Sequence, residues 1–227
     1  VFAMLMLFAL AAAPPKAAPE PSGHDATMHH RFEDPSEWVK VFDAPDRDRW
    51  QKPDAVLAAV GVVPGMTVAD LGAGTGYFSV RLGRAVGAAG QVLALDVEPK
   101  LVEYMKARAQ REKLPQMKAV LVPPDDPKLP EHGVDLVLIV DTWHHLDDRL
   151  HYLGKIARGL SARGRVAVID FKKGELPVGP PDAHKLAPDA VAAELTEAGW
   201  TVTGRDESLL PYQYILIASP KQTAKAP

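Results

Sequence analysis

The stretch VADLGAGTGY, residues 68–77, decides the reading of this 227-residue chain. A short apolar run leads into glycines at 72, 74 and 76 and then into an amphipathic segment. That succession reads as a strand, a tight turn and the start of a helix. At such a junction the backbone lies flush against a ligand, where a Cβ would intrude, and the helix start offers free N–H groups. Strand-to-helix turns also use glycine for geometry alone, so a second signal is needed. Two acids supply it: Asp70, at the end of the run, and Asp96 in LALDVEP, residues 93–99. Asp96 follows Gly76 by twenty residues, close to the spacing of a carboxylate that binds a ribose diol. The glycine spacing is G-x-G-x-G rather than the G-x-G-x-x-G of dinucleotide enzymes, which disfavours a nicotinamide oxidoreductase.

Outward from this loop the chain alternates between strand and helix. Short apolar runs at 67–71, 91–96, 118–122, 134–141 and 165–171 read as strands buried on both faces. Helical stretches lie between them at 76–86, 99–113 and 148–160, with Pro99 and Asp147 or Asp148 suited to helix starts. Such regular alternation implies a parallel sheet covered by helices on both sides. The end of the chain differs: a helix at 188–198 precedes two closely spaced strands, 200–203 and 212–218, which suit an antiparallel pair at the sheet edge. Upstream, Asp34, Pro35 and Glu37 form a capping-box arrangement for a helix that must stop near Pro45, and a short helix is expected over 53–60.

The segments VADLGAGTGYFSV (68–80), LALDVEP (93–99) and DDPKLPEHGVDLVLIVDTWHHL (125–146) together resemble the class I S-adenosylmethionine-dependent methyltransferases. The likeness is greatest to the small-molecule branch that includes the ubiquinone/menaquinone C-methyltransferases, and it runs over residues 64–218. The resemblance implies a Rossmann-like three-layer α/β sandwich, with a mostly parallel seven-stranded sheet and an antiparallel last strand. It also implies a cofactor, S-adenosylmethionine. The backbone at Gly72, Ala73, Gly74 and Gly76 would hold its methionine half, with Asp70 on the amino group. Asp96 would take the ribose hydroxyls, Val97 would flank the adenine, and Asp125 or Asp126 would accept from the adenine amino group. Both of these last acids also suit turns beside Pro124 and Pro127.

Methyl transfer is an in-line displacement helped by a base where the acceptor must lose a proton. In an open α/β sheet that chemistry sits beyond the carboxyl ends of the strands. There the fourth strand ends in Asp141, followed by His144 and His145, and the fifth ends in Asp170. Asp141, His144 and His145 are the candidates for acceptor binding or proton removal, histidine having the ordinary pKa for a base near neutrality. The competing reading of His144 is that it only fixes the loop, and of Asp170 that it is a structural cap.

Residues 23–64 exceed the minimal fold and read as a helical segment and candidate lid, with Trp38, Phe42 and Trp50 as packing residues or a substrate platform. His24, His29 and His30 have no spacing that supports a metal site, so none is expected. The methyltransferase domain itself is placed at 65–220, with a tail at 221–227. Residues 1–13 are uninterruptedly apolar and precede a Pro/Ala-rich linker, so 1–22 reads as a signal-like segment, implying export, envelope attachment or membrane association through the N-terminus. That sits uneasily with a cytosolic cofactor, and a cytoplasmic location is the alternative.

Composition narrows the function further. The net charge is −3 and the charged fraction 24%, so no basic field exists to gather a phosphate backbone, and DTWH replaces the N-P-P-Y type motif of nucleic-acid enzymes. The absence of cysteine removes thiolate metal sites and cysteine nucleophiles. The expected partner is therefore a small-molecule acceptor and not a nucleic acid. The alternative is a non-catalytic, degenerate Rossmann-like protein that retains cofactor binding or none.

Overall fold

The computed structural model describes residues 35–221. The expectations for residues 1–34, including the apolar segment, the linker, His24, His29, His30 and the Asp34 cap, lie outside the described residues. Three short helices come first: α1 (Pro35–Phe42), α2 (Arg47–Gln51) and α3 (Pro53–Ala59). The βα alternation follows as β1 (Thr67–Leu71), α4 (Tyr77–Val86), β2 (Gln91–Asp96), α5 (Pro99–Arg111), β3 (Met117–Leu121) and β4 (Val134–Val140). After a single 3-10 turn, Trp143–His145, come α6 (Arg149–Gly159) and β5 (Leu160–Phe171). A second 3-10 turn, Asp182–His184, precedes α7 (Pro188–Glu197), β6 (Trp200–Asp206) and β7 (Gln213–Pro220).

The seven strands lie in the order β3-β2-β1-β4-β5-β7-β6. The first five pair in parallel, and β7 runs antiparallel to both of its neighbours. The antiparallel pair expected at the edge is present, with β6 outermost and the reversed β7 inserted against β5. Successive side chains of a strand point to opposite faces, and the two cores follow that alternation. Val68, Leu136, Leu138 and Ile169 pack with α3, α4 and α5 on one side. Ala69, Leu71, Val137, Ile139 and Val168 pack with α6 and α7 on the other, around the buried rings of Trp143, Trp200 and Tyr214.

Four departures from the sequence reading have physical causes. At the sheet edge β3 is covered on one face, at Met117 and Ala119, while Lys118 and Val120 on the other face are exposed, as is Leu121 at the strand end, so this strand is not buried on both faces. Helix α5 stops two residues early because Lys113 turns into the left-handed region at φ 56°. Gly159 ends α6, and a Cβ there would lie 2.4 Å from Leu129. Strand β5 begins at Leu160, five residues early, because Leu160 pairs with Val134 across an irregular register before regular pairing resumes at Arg165.

The sheet fixes where a site can form. Between β1 and β4 the strand order reverses, and the carboxyl ends of the strands at such a point are the usual ligand position in an open α/β sheet.

Candidate active site

The turn from β1 into α4 is built from left-handed glycines, with φ of 70° at Gly72, 59° at Gly74 and 83° at Gly76. That conformation disfavours a side chain whatever lies nearby. The amides of Gly72 and Ala73 donate to the Leu95 carbonyl at 2.9 and 3.0 Å, tying the loop to the end of β2. Each glycine also has a protein neighbour where a Cβ would stand. Thr142 lies 2.4 Å away at Gly72, the Phe42 ring 3.3 Å at Gly74, and Met117 and Met105 3.2 and 3.3 Å at Gly76. The glycines are thus required by backbone geometry and close packing as well as by any ligand approach.

Two buried acids flank this loop. Asp96 accepts from the Gly74 amide through Oδ2 at 2.8 Å and from the Glu98 amide through Oδ1 at 3.0 Å. Burial raises its pKa against the pull of those backbone donors. An ionised carboxylate has about four acceptor positions, so capacity for further donors remains. Asp70 accepts from the Ser79 hydroxyl at 2.5 Å, and burial pushes its pKa up to about 6, with the nearby Asp96 charge adding to the rise. It has no ion pair among the described residues. Val97, next to Asp96, is 51% exposed. Asp125 and Asp126 lie on the loop after β3, where Asp125 meets Lys155 at 3.3 Å and Asp126 meets Lys128 at 2.9 Å.

A second cluster lies at the ends of β4 and β5. Asp141 is held at φ 55°, an uncommon conformation for a residue with a side chain. It closes a ring of four polar side chains. Arg47 reaches Asp141 at 3.4 Å and Gln51 at 3.2 Å, Gln51 donates to Gln213 at 2.5 Å, and Gln213 donates back to Asp141. Enclosure by protein pushes the Asp141 pKa up to about 7, the Asp170 charge adds to the rise, and Arg47, His144 and Gln213 offset only part of it.

Beside this ring, His144 Nδ1 lies 3.0 and 2.9 Å from the two oxygens of Asp170. Asp170 is fully buried and also accepts from the backbone amides of His144, at 3.3 Å, and Phe171, at 2.8 Å. Burial by itself would lower the His144 pKa, but hydrogen bonding and charge from Asp170, with the charge of Asp141, hold it above the ordinary value. His145 is exposed, with its ring centroid 4.1 Å from that of His144. Trp50 stands near Phe171 and Tyr212, at 6.0 and 6.1 Å between ring centroids, so an aromatic wall adjoins the cluster.

Helices α1 and α2 lie across both halves of the site. Arg47 donates to the Phe42 carbonyl at 2.7 Å and stacks over Tyr77 at 4.0 Å. Asp43 pairs with Arg108, which also reaches the Thr75 carbonyl at 3.0 Å. Asp48 accepts from the Tyr77 hydroxyl at 2.5 Å and from Arg81 at 2.8 Å. The structure therefore brings Asp70, the glycines and Asp96 together, and separately Asp141 with His144. Sequence reasoning missed Arg47, Gln51 and Gln213. Arg47 and Gln51 sit in a short charged stretch without periodicity, and Gln213 carries no motif. Among the described residues no group of three His, Cys, Asp or Glu could hold a metal ion.

Comparison with known proteins adds to this geometry. A family model described as a methyltransferase domain matches residues 63–214. The chain is 33% identical over 102 residues to an uncharacterized methyltransferase of Mycobacterium tuberculosis, covering 45% of this chain and 38% of that one. It is 27% identical over 163 residues to the demethylmenaquinone methyltransferase of Oceanobacillus iheyensis, covering 69% of this chain and 67% of that enzyme. The chain thus spans well under two thirds of the mycobacterial relative. The crystal structure of a SAM dependent methyltransferase from Aquifex aeolicus superposes with a TM-score of 0.77 at 31% identity, over 82% of this chain and 97% of that one.

Proposed function

This chain belongs to the methyltransferase-domain family, and from that premise we propose that it is an S-adenosylmethionine-dependent methyltransferase acting on a small-molecule acceptor. The observation that carries the reading is Asp96, buried at the end of β2 with both oxygens fixed by backbone amides and acceptor capacity left over. Such a carboxylate suits the two hydroxyls of a ribose. The residues fit the rest of the cofactor as well. Asp70 is a buried acid without an ion pair, and an ammonium brought beside it would restore its charge. Val97 offers an exposed apolar surface to a base, and Asp125 or Asp126 a carboxylate, once either turns from its lysine. When bound, S-adenosylmethionine supplies a sulfonium-activated methyl group.

The chain's own residues then have three tasks. The glycine loop and Asp96 set the position of the donor, and α1 and α2 restrict water and the approach of the acceptor. His144 takes up the acceptor's proton, while Asp141 and the exposed His145 border the same space. A small acceptor is supported by the relatives named as quinone methyltransferases and by the net charge of −3, which provides no attraction for a nucleic acid.

The test is incubation of the protein with methyl-labelled S-adenosylmethionine and a small-molecule extract of the source cells. Label appearing in a low-molecular-weight product supports the proposal. Tight binding of the cofactor with no transfer to any fraction would leave the non-catalytic reading in its place.

A further inference from the structure

We propose that Asp170 is the positioning residue of the site: it fixes the tautomer and direction of His144, so that Nε2 takes the proton of a protic acceptor such as a hydroxyl. This rests on the functional reading above and deepens it. Asp170 stands at the end of β5, and His144 on the 3-10 turn that follows the adjacent β4, so strand pairing itself brings the two together. Four contacts converge on one carboxylate that is fully buried: His144 Nδ1 to both oxygens, the His144 amide and the Phe171 amide. This geometry holds the ring by its backbone and by one nitrogen at once. The other nitrogen, Nε2, makes no hydrogen bond to the described residues.

The chemistry follows from the charge of Asp170. A carboxylate can only accept, so the hydrogen of neutral His144 must sit on Nδ1 and the lone pair on Nε2. A structural cap would need neither the ring contact nor a second oxygen. The step balances without further reagents. The acceptor's proton moves to Nε2, and its freed electron pair forms the bond to the methyl carbon. The pair of the broken carbon–sulfur bond stays on sulfur, which becomes a neutral thioether. The resulting imidazolium is flanked by Asp170 from β5 and Asp141 from the end of β4, which favour it. Arg149 from α6 opposes it, and His145 stacks against it from the same turn. Positive charge left on the ring is thus accommodated.

The test uses the full chain with nitrogen-15 histidine, the His144 signals being assigned by their loss in His144→Gln. Wild-type protein should show the Nδ1–H tautomer above its pKa. In Asp170→Asn the amide oxygen can keep the shorter backbone contact, from the Phe171 amide at 2.8 Å, while the NH₂ takes the Oδ2 position beside the ring and gives up the longer contact from the His144 amide. His144 should then carry its proton on Nε2 and titrate at lower pH. Labelled-methyl incorporation into extract should fall by about 10²–10⁴-fold, while calorimetric affinity for S-adenosylhomocysteine stays within about threefold. An Nε2–H tautomer in the wild type overturns the pairing, and that measurement does not depend on the folding of Asp170→Asn. Loss of activity in Asp170→Asn with tautomer and pH–rate midpoint unchanged also overturns it, since that is the behaviour of a purely structural acid. An Nδ1–H tautomer in a protein that methylates nothing refutes the functional reading beneath the proposal, and the base role with it.

Discussion

Replacing Asp70 by Asn should stabilise the cofactor-free protein above pH 6 and weaken cofactor binding. Asp70 is buried to 3% exposure, and its pKa rises from an ordinary 3.8 to about 6, chiefly through burial and secondly against the charge of Asp96. A rise of 2.2 units corresponds to about 3 kcal/mol of penalty on the ionised form. The sign follows from the direction of the shift. An acid whose folded pKa is raised contributes stability that is fully present below the unfolded value near 3.8 and lost as pH rises through about 6. Asn is isosteric, keeps an oxygen for the Ser79 hydroxyl and never ionises. The advantage of the variant should therefore be absent near pH 4, grow between pH 4 and 6, and level off above pH 7. The plateau is about 3 kcal/mol at most, or about 6–12 °C in Tm for a domain of this size. Urea unfolding of both proteins across pH 4.5–8 measures it, Asp96 and Asp141 being common to the two. A stability difference that does not change with pH would refute the reasoning, as would a variant less stable at pH 8. The same acid should lose its proton when an ammonium arrives, so calorimetry of cofactor binding near pH 6 in buffers of different ionisation enthalpy should reveal proton release in the wild type and less in the variant.

Asp96→Ala removes the acceptor of the Gly74 and Glu98 amides and, on the proposed function, of two ribose hydroxyls. At about 1.5–3 kcal/mol for each hydrogen bond to a charged group, S-adenosylhomocysteine affinity should drop at least 10-fold, and calorimetry showing an unchanged Kd would remove Asp96 from the site. Gly74→Val meets both a φ of 59° and the Phe42 ring at 3.3 Å, so it should dislodge α1 and abolish cofactor binding while leaving the sheet folded. Circular dichroism with a binding isotherm on one sample checks this, and normal affinity would sink it.

The bounds of β1 and β2 were readable to the residue because each is an apolar run cut off sharply, by Gly65 and the glycine loop in one case and by Asp96 in the other. Binary pattern also exposed the helices on both faces and the reversed end of the sheet. Helix α2 was not readable, being five residues between Pro45 and Pro53 without an apolar period. The site divides the same way. Gly72, Gly74, Gly76 and Asp96 announce themselves through local spacing, since each belongs to one turn or strand end. The second cluster is joined by tertiary contacts: Arg47 and Asp141 are 94 residues apart, Gln51 and Gln213 162. No local rule connects such residues. Asp170 was visible as an acid at a strand end, yet its pairing with His144 exists only because β4 and β5 are neighbours.

Arg47 touches the carbonyl of Phe42 with one arm and Asp141 with another, and the Phe42 ring stands over Gly74. One cation therefore connects the cover of the glycine loop to a carboxylate that titrates at about 7. Protonating Asp141 weakens its hold on Arg47, which lowers the work needed to lift the ring from Gly74. Thermodynamic linkage makes the relation mutual: whatever displaces the ring must shift the titration of Asp141 by the same coupling free energy. Lifting the ring and protonating Asp141 are in this way two readings of a single equilibrium.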